Sequence, residues 1–148
     1  MLPDTALVRI LTCEPPVAEA PALVAALDKL FAQFVREDRC SAWTVTVEVA
    51  GRAVVLAWEG APLSGCSHDK INGVMGAFAP QALISPPILI EGACLMRGDL
   101  KRRLVAGEVA PTTPWWDVRV TTWAEWRRQP QELAQGWLWA HVQPPSTA

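Results

Sequence analysis

The sequence predicts a single α+β domain whose core has the element order strand, helix, strand, strand, helix, strand. Two observations predict it. Apolar residues recur at helical spacing in two segments, 22–36 and 71–78. Each of these segments lies between runs that have the length and β-branched content of strands. The chain has 148 residues and no internal repeat, a length typical of one domain.

The first strand is predicted over residues 7–13, L-V-R-I-L-T-C, because of its β-branched content. The first helix follows over residues 22–36. Its apolar side chains fall on one stripe, as in an amphipathic helix that packs on a core. The stripe consists of Leu23, Leu27, Leu30, Phe31 and Phe34.

The second and third strands differ in their patterns. Residues 43–49 alternate strictly, with Thr44, Thr46 and Glu48 on the polar side, which predicts an edge strand with one face in water. Residues 52–58 are apolar on both sides after Arg52, which predicts a central strand. These positions agree with a ferredoxin-like βαββαβ arrangement, in which two helices cover one face of an antiparallel sheet.

The fourth strand is predicted over residues 88–96, after a helix that ends near Pro80 and a loop closed by Pro86 and Pro87. A short helix is predicted over residues 99–107. Beyond it lie six of the eight tryptophans, namely Trp115, Trp116, Trp123, Trp126, Trp137 and Trp139. A βαββαβ unit leaves one sheet face bare, so we expect this segment to cover that face or to present tryptophans to a partner.

The predicted single domain, 1–148, therefore consists of a ferredoxin-like core at 1–97, a tryptophan-rich extension at 98–143 and a tail at 144–148. The formal net charge of −2 gives no long-range attraction for nucleic acid or an anionic membrane, and neither is predicted as a partner. No apolar run approaches the roughly 20 residues of a membrane helix, and the N-terminal residues do not form a signal-peptide pattern.

The four cysteines form no C-x-x-C pair and have no histidine nearby in a zinc-binding pattern. No metal site and no cofactor is predicted. Free thiols without an export signal favour a cytoplasmic location.

Residues 64–70, S-G-C-S-H-D-K, are the predicted functional site, at the turn between the third strand and the second helix. Ser67 is predicted to cap the helix, so that His68, Asp69 and Lys70 would be its first residues. Asp69 would then suit the positive end of the helix dipole. Gly65 permits the backbone angles of a sharp turn. These features by themselves describe a structural turn.

The same turn could bind a small anion, because N–H groups at a helix N-terminus hold phosphates and carboxylates. Ser64, Gly65, Ser67 and Asp69 are the predicted ligand-binding residues, with the two hydroxyls as additional donors.

A different chemistry is also open. Cys66 is a candidate nucleophile and Lys70 its candidate activator, because a helix N-terminus and a neighbouring ammonium both stabilise a thiolate. His68 is predicted to pack on the core and not to pair with Cys66, since side chains two residues apart on a helix do not face each other.

The motif S-G-C-S-H-D-K resembles the S-G-C-S-x-D-K motif of a small bacterial family, best known in Bacteroidetes. Members of that family are often labelled ABC transporter ATPases, although they are small soluble proteins of no established function. Residues 104–126, L-V-A-G-E-V-A-P-T-T-P-W-W-D-V-R-V-T-T-W-A-E-W, resemble the tail of the same family. The family has isoleucine where this chain has His68.

The resemblance implies that six residues belong to the family's motif: Ser64, Gly65, Cys66, Ser67, Asp69 and Lys70. It does not imply ATP hydrolysis, because the chain has no G-x-x-x-x-G-K-[ST] phosphate loop.

Three functions therefore remain open on the sequence. The first is a non-enzymatic cytoplasmic protein that binds a small anionic ligand or a protein partner through residues 64–70. The second is a thiol-dependent enzyme or redox protein that uses Cys66. The third is an interaction module, including a homodimer, that uses the tryptophan-rich segment.

Overall fold

The computed structural model describes residues 1–78, 82–83 and 88–145. Within these ranges it confirms the α+β class, with two four-stranded antiparallel sheets. In chain order the elements are β1 (Leu7–Cys13), α1 (Ala20–Arg36), β2 (Ala42–Glu48), β3 (Ala53–Glu59), α2 (Gly65–Phe78), β4 (Ala82–Leu83), β5 (Ile88–Ile90), β6 (Ala93–Leu95), α3 (Arg97–Val105), β7 (Pro114–Trp116), α4 (Trp123–Arg127), β8 (Gln131–Glu132), a 3₁₀ helix (Leu133–Gln135) and α5 (Trp139–Val142).

The first sheet has the strand order β2-β3-β1-β4, and β3 lies at its centre as predicted. Every side chain from Ala53 to Trp58 is buried, which explains why this strand is apolar on both sides. β2 and β3 form a hairpin in which Glu48 lies opposite Ala53. The turn between them uses positive φ angles at Val49, Ala50 and Gly51.

The predicted fourth strand, residues 88–96, is wrong. The segment forms two short strands, β5 and β6, which pair with each other in the second sheet, whose order is β6-β5-β7-β8. Gly92, with φ of 83°, breaks the run in the middle, and β7 supplies the partner on the other side of β5. The place next to β1 is taken by β4. The ferredoxin-like order is therefore not confirmed. The predictions at Pro80, Pro86, Pro87 and residues 146–148 lie outside the described residues.

The main core lies between the first sheet and the helices α1 and α2. All five residues of the predicted α1 stripe are buried in it, as the 3.6-residue periodicity requires. Phe31 is at its centre, with ring centroids 5.3 Å from Phe34, 6.4 Å from Trp43 and 6.3 Å from Trp58.

The tryptophan-rich segment covers the other face of the first sheet. Trp126 is only 4% exposed and packs in one cluster with Ala53 and Val55 of β3. Its indole Nε1 donates a hydrogen bond to Glu48 Oε2 at 3.2 Å. The polar side of β2, predicted to face water, is thus partly covered, because α4 brings an N–H group to its carboxylate. Covering the sheet, one of the two expectations for this segment, is therefore observed for Trp123 and Trp126.

A second core joins the second sheet to α3 and α5, and it includes Leu100, Leu104, Trp115, Leu133, Leu138 and Val142. α3 begins two residues earlier than the predicted helix and ends two residues earlier. Within the described ranges, no helix has both the length and the apolar content needed to span a membrane.

Candidate functional site

The motif at residues 64–70 begins α2 three residues earlier than predicted. The helix starts at Gly65, and the Ser64 hydroxyl accepts a hydrogen bond from the Ser67 amide at 3.2 Å. The Ser64 carbonyl accepts from the His68 amide at 3.0 Å. Ser64 therefore caps the helix, and the prediction that Ser67 does so is wrong. Both serines have a suitable hydroxyl, and the point at which the chain leaves β3 decides between them.

Ser67 is fully buried, at 0% exposure, and its hydroxyl is hydrogen-bonded to other side chains of the protein. Its Oγ accepts a hydrogen bond from Arg39 Nη1 at 2.6 Å and lies 3.0 Å from Ser64 Oγ. The same Arg39 nitrogen donates to Ser64 Oγ at 3.1 Å. The two hydroxyls that were predicted to meet a ligand instead hold a guanidinium at the start of α2.

Arg39 is the residue of this site that the sequence reasoning missed. It lies in the loop before β2, 25 positions from Ser64, and no local pattern marks a contact over that distance. Its Nε donates to Glu37 Oε2 at 2.9 Å, and its guanidinium lies over the Phe34 ring at 5.9 Å. Four contacts thus fix the position of this cation.

Glu37 is an exposed carboxylate that forms an ion pair with Arg39 near the start of α2. The pKa of Glu37 is lowered, first by a hydrogen bond from Gln33 and then by the charges of Arg39 and Lys70. Two cations therefore act on one exposed carboxylate beside the helix N-terminus. An external anion at this position would compete with Glu37 for Arg39.

Gly65, Cys66, Asp69 and Lys70 are all exposed at the start of α2. A Cβ at Gly65 would have no atom within 4 Å, so the space outside the first turn is open. Cys66 does not line the cavity beside the second sheet or those near α3 and near Met1. Its thiol is exposed at the protein surface.

His68 packs on the core, as predicted, and does not pair with Cys66. Its ring lies edge-on to Trp58 at 6.4 Å, and its Nδ1 is 3.0 Å from Arg9 Nη1. The other terminal nitrogen of Arg9 donates to Asn72 Oδ1 at 2.6 Å. Burial, followed by the Arg9 charge, lowers the pKa of His68, so the neutral ring accepts the hydrogen bond from Arg9.

This contact predicts a pH dependence of stability. The unfolded chain takes up the His68 proton near pH 6.5, whereas the folded protein takes it up at lower pH. The unfolded state then binds more protons, so the free energy of unfolding falls as pH drops below about 6.5. We expect denaturant titrations between pH 7 and pH 5, values that bracket the ordinary histidine pKa of about 6.5, to show this loss.

The substitution His68→Gln keeps an acceptor for Arg9 but does not titrate, so it should reduce the slope. His141→Gln, on an exposed histidine, is the matched control and should leave the slope in place. An unchanged slope in His68→Gln would contradict the assignment.

The other three cysteines are less accessible than Cys66. Cys13 and Cys40 are buried and Cys94 is half-buried, and all are free thiols. Burial raises the pKa of all three, and the nearby Cys94 thiol adds to the effect at Cys13, whose pKa rises to about 11. Among the described residues, no group of three or more histidine, cysteine, aspartate or glutamate side chains could hold a metal ion.

Comparison with known proteins gives no relative: no protein-family model, no curated protein and no solved structure matches this chain. The resemblance to the small bacterial family therefore stays a prediction that rests on residues 64–70 and 104–126.

Proposed function

We propose that the protein is a binding protein, not an enzyme, and that it takes a small anionic ligand at the N-terminus of α2. The observation that carries this proposal is the fixed guanidinium of Arg39, held by Ser64 and Ser67 beside the exposed first turn. The amides of Gly65 and Cys66 are the first two of the helix and have no acceptor within it. The positioned guanidinium of Arg39 and the free amides together favour an anion.

The residues of the motif then have different roles from those first predicted. Ser64 and Ser67 position Arg39, while Gly65 and Cys66 offer their backbone N–H groups. Lys70 adds a second positive charge. Asp69 is exposed on the same turn and carries the same sign as the ligand, so we give it no binding role.

The proposal predicts opposite effects for two charge substitutions. Lys70→Gln should weaken the binding of inorganic phosphate about two- to fivefold, the range expected when an exposed charge pair is lost. Glu37→Gln should strengthen it, because the carboxylate competes for the same two cations. Isothermal titration calorimetry of phosphate into the full chain at low ionic strength measures both.

Lys29→Gln is the control, because Lys29 is an exposed lysine on α1 and should leave the affinity unchanged. Equal affinities in all four proteins would contradict a site at the start of α2.

A thiol function of Cys66 is the second candidate, favoured by its exposure. We expect iodoacetamide to modify Cys66 first in the folded protein, with Cys94 reacting more slowly and Cys13 and Cys40 reacting only as the protein unfolds. Peptide mass spectrometry over time measures the order. Modification of a buried cysteine before Cys66 would contradict the exposure on which this candidate rests.

The ferredoxin-like arrangement and the cytoplasmic location also stand as proposals. The order β2-β3-β1-β4 supports the first, with β4 in the place expected of residues 88–96. The four free cysteines support the second.

Membership of the small bacterial family is supported by the motif at residues 64–70, which forms the first turn of α2 with Ser64 as its cap. A protein partner, including a second copy of the chain, is the alternative occupant of the same surface.

A further inference from the structure

A cavity of about 230 Å³ lies beside the second sheet, in a different part of the molecule from the start of α2. Three indole rings line it, those of Trp115, Trp116 and Trp137. Aliphatic side chains, including Ile88 and Leu95, complete its apolar wall. Small-molecule sites are typically concave and mostly apolar, with a few polar groups that fix orientation.

The aromatic wall is already in place without a ligand. Trp115 is only 2% exposed, and its ring lies edge-on to that of Trp137 at 6.0 Å. Trp137 is held in turn by a hydrogen bond from its Nε1 to Asp117 Oδ2 at 2.8 Å. On the other side, Trp115 packs so closely on Gly136 that a Cβ there would lie 2.3 Å from Trp115 Cζ2. A preformed wall lowers the entropy cost of binding.

The charged groups of the cavity favour an anion. Arg97, Arg119 and Asp117 line it, so cations outnumber carboxylates by two to one. The Asp117 carboxylate is already occupied, because Oδ2 accepts from Trp137 and Oδ1 accepts from the Arg119 amide at 3.0 Å. Neither arginine is paired with a carboxylate anywhere in the described ranges.

Arg119 is held beside the cavity by the ring of Trp137. Its guanidinium carbon lies 4.6 Å from the centroid of the Trp137 ring, a cation–π contact that holds the charge at the cavity. Guanidinium groups bind carboxylates with paired, directional hydrogen bonds.

The indole nitrogen of Trp115 is buried and has no hydrogen-bond partner within the described ranges. Its Nε1 is the one buried side-chain nitrogen or oxygen without a hydrogen-bond partner among the residues that the structure describes. Native proteins satisfy nearly all such groups, and an unsatisfied donor is unfavourable. A Cβ at Gly136 would lie 2.8 Å from this nitrogen, so this edge of the ring packs against the chain at Gly136.

We propose that this cavity binds a small aromatic carboxylate, with its ring against the indoles and its carboxylate at Arg97 and Arg119. The volume is below the 300–1,000 Å³ usual for drug-sized ligands, which favours one ring or two fused rings. The site is independent of the one proposed at α2, which has cations but no aromatic wall.

Calorimetric titration of the full chain with indole-3-acetate and with its neutral analogue indole-3-acetamide tests the proposal. We expect saturable binding of the acid at least about tenfold tighter than that of the amide, because charge-assisted hydrogen bonds are the stronger ones. Arg119→Met and Arg97→Met should each weaken the binding of the acid more than that of the amide, and so reduce this preference.

Arg128→Met is the matched control, because Arg128 is exposed and does not line the cavity. Its affinities should equal those of the unmodified chain. Thermal melts show whether each variant is folded. We expect all three arginine variants to fold, because Arg97, Arg119 and Arg128 are exposed. Equal affinity for acid and amide, or no saturable binding of the acid, would overturn the proposal.

Discussion

Replacing Trp126 with alanine is expected to lower the free energy of unfolding by about 3–5 kcal/mol, the range for removing a large aromatic side chain from a core. The ring is 4% exposed and lies between α4 and the first sheet, where it packs with Ala53, Val55 and Leu89. The substitution also removes the donor to Glu48 and leaves that half-buried carboxylate with one partner fewer. Urea denaturation followed by circular dichroism measures the loss.

Trp137→Ala is the matched control, since it removes the same side chain from a site that is 42% exposed. Its cost should be smaller than that of Trp126→Ala, because much of the Trp137 ring is already in water, although its contacts with Trp115 and Asp117 are lost. Equal losses in the two variants would mean that the tryptophan-rich segment does not pack on the sheet through Trp126.

Gly136→Ala is the second substitution with a large expected effect, a loss of about 1–3 kcal/mol from overpacking. The new Cβ would lie 2.3 Å from Trp115 Cζ2 and 2.8 Å from Trp115 Nε1, so the buried ring or the chain at 136 must move. The effect is steric, because Gly136 has an extended backbone that alanine can adopt.

Gly73→Ala provides the control for that experiment. Gly73 is exposed within α2, and a Cβ there would meet no atom within 4 Å. Alanine should therefore raise the free energy of unfolding by about 0.5–1 kcal/mol, the difference in helix propensity. If Gly136→Ala were as stable as the unmodified chain, the close packing of Trp115 would be wrong.

Local periodicity explains what could be predicted of the fold. The α1 stripe and the contrast between β2 and β3 are properties of neighbouring residues, so the sequence shows them directly. The fate of residues 88–96 depends on β7, which begins 18 residues further along the chain. No pattern within the segment shows which sheet it will join, although Gly92 marks the position at which it turns.

Like the fold, the candidate site could be predicted only where its residues are close together in the sequence. The motif at residues 64–70 was correctly placed at the turn between β3 and α2, because its residues are consecutive. Arg39 lies in the loop before β2, and its contact with Ser67 joins residues that are 28 positions apart in the chain. The aromatic cavity is harder still to predict from the sequence, because its wall combines side chains from β5, β7 and the segment around Trp137.

The central claim is that a small anion binds at the N-terminus of α2. The most direct test is a titration of the full chain with inorganic phosphate, followed by ¹H–¹⁵N NMR of the backbone amides. The account predicts saturable shifts at Gly65 and Cys66, reduced in Lys70→Gln and unchanged in Lys29→Gln. Saturable shifts that are confined to other regions, or none at these two amides, would contradict it.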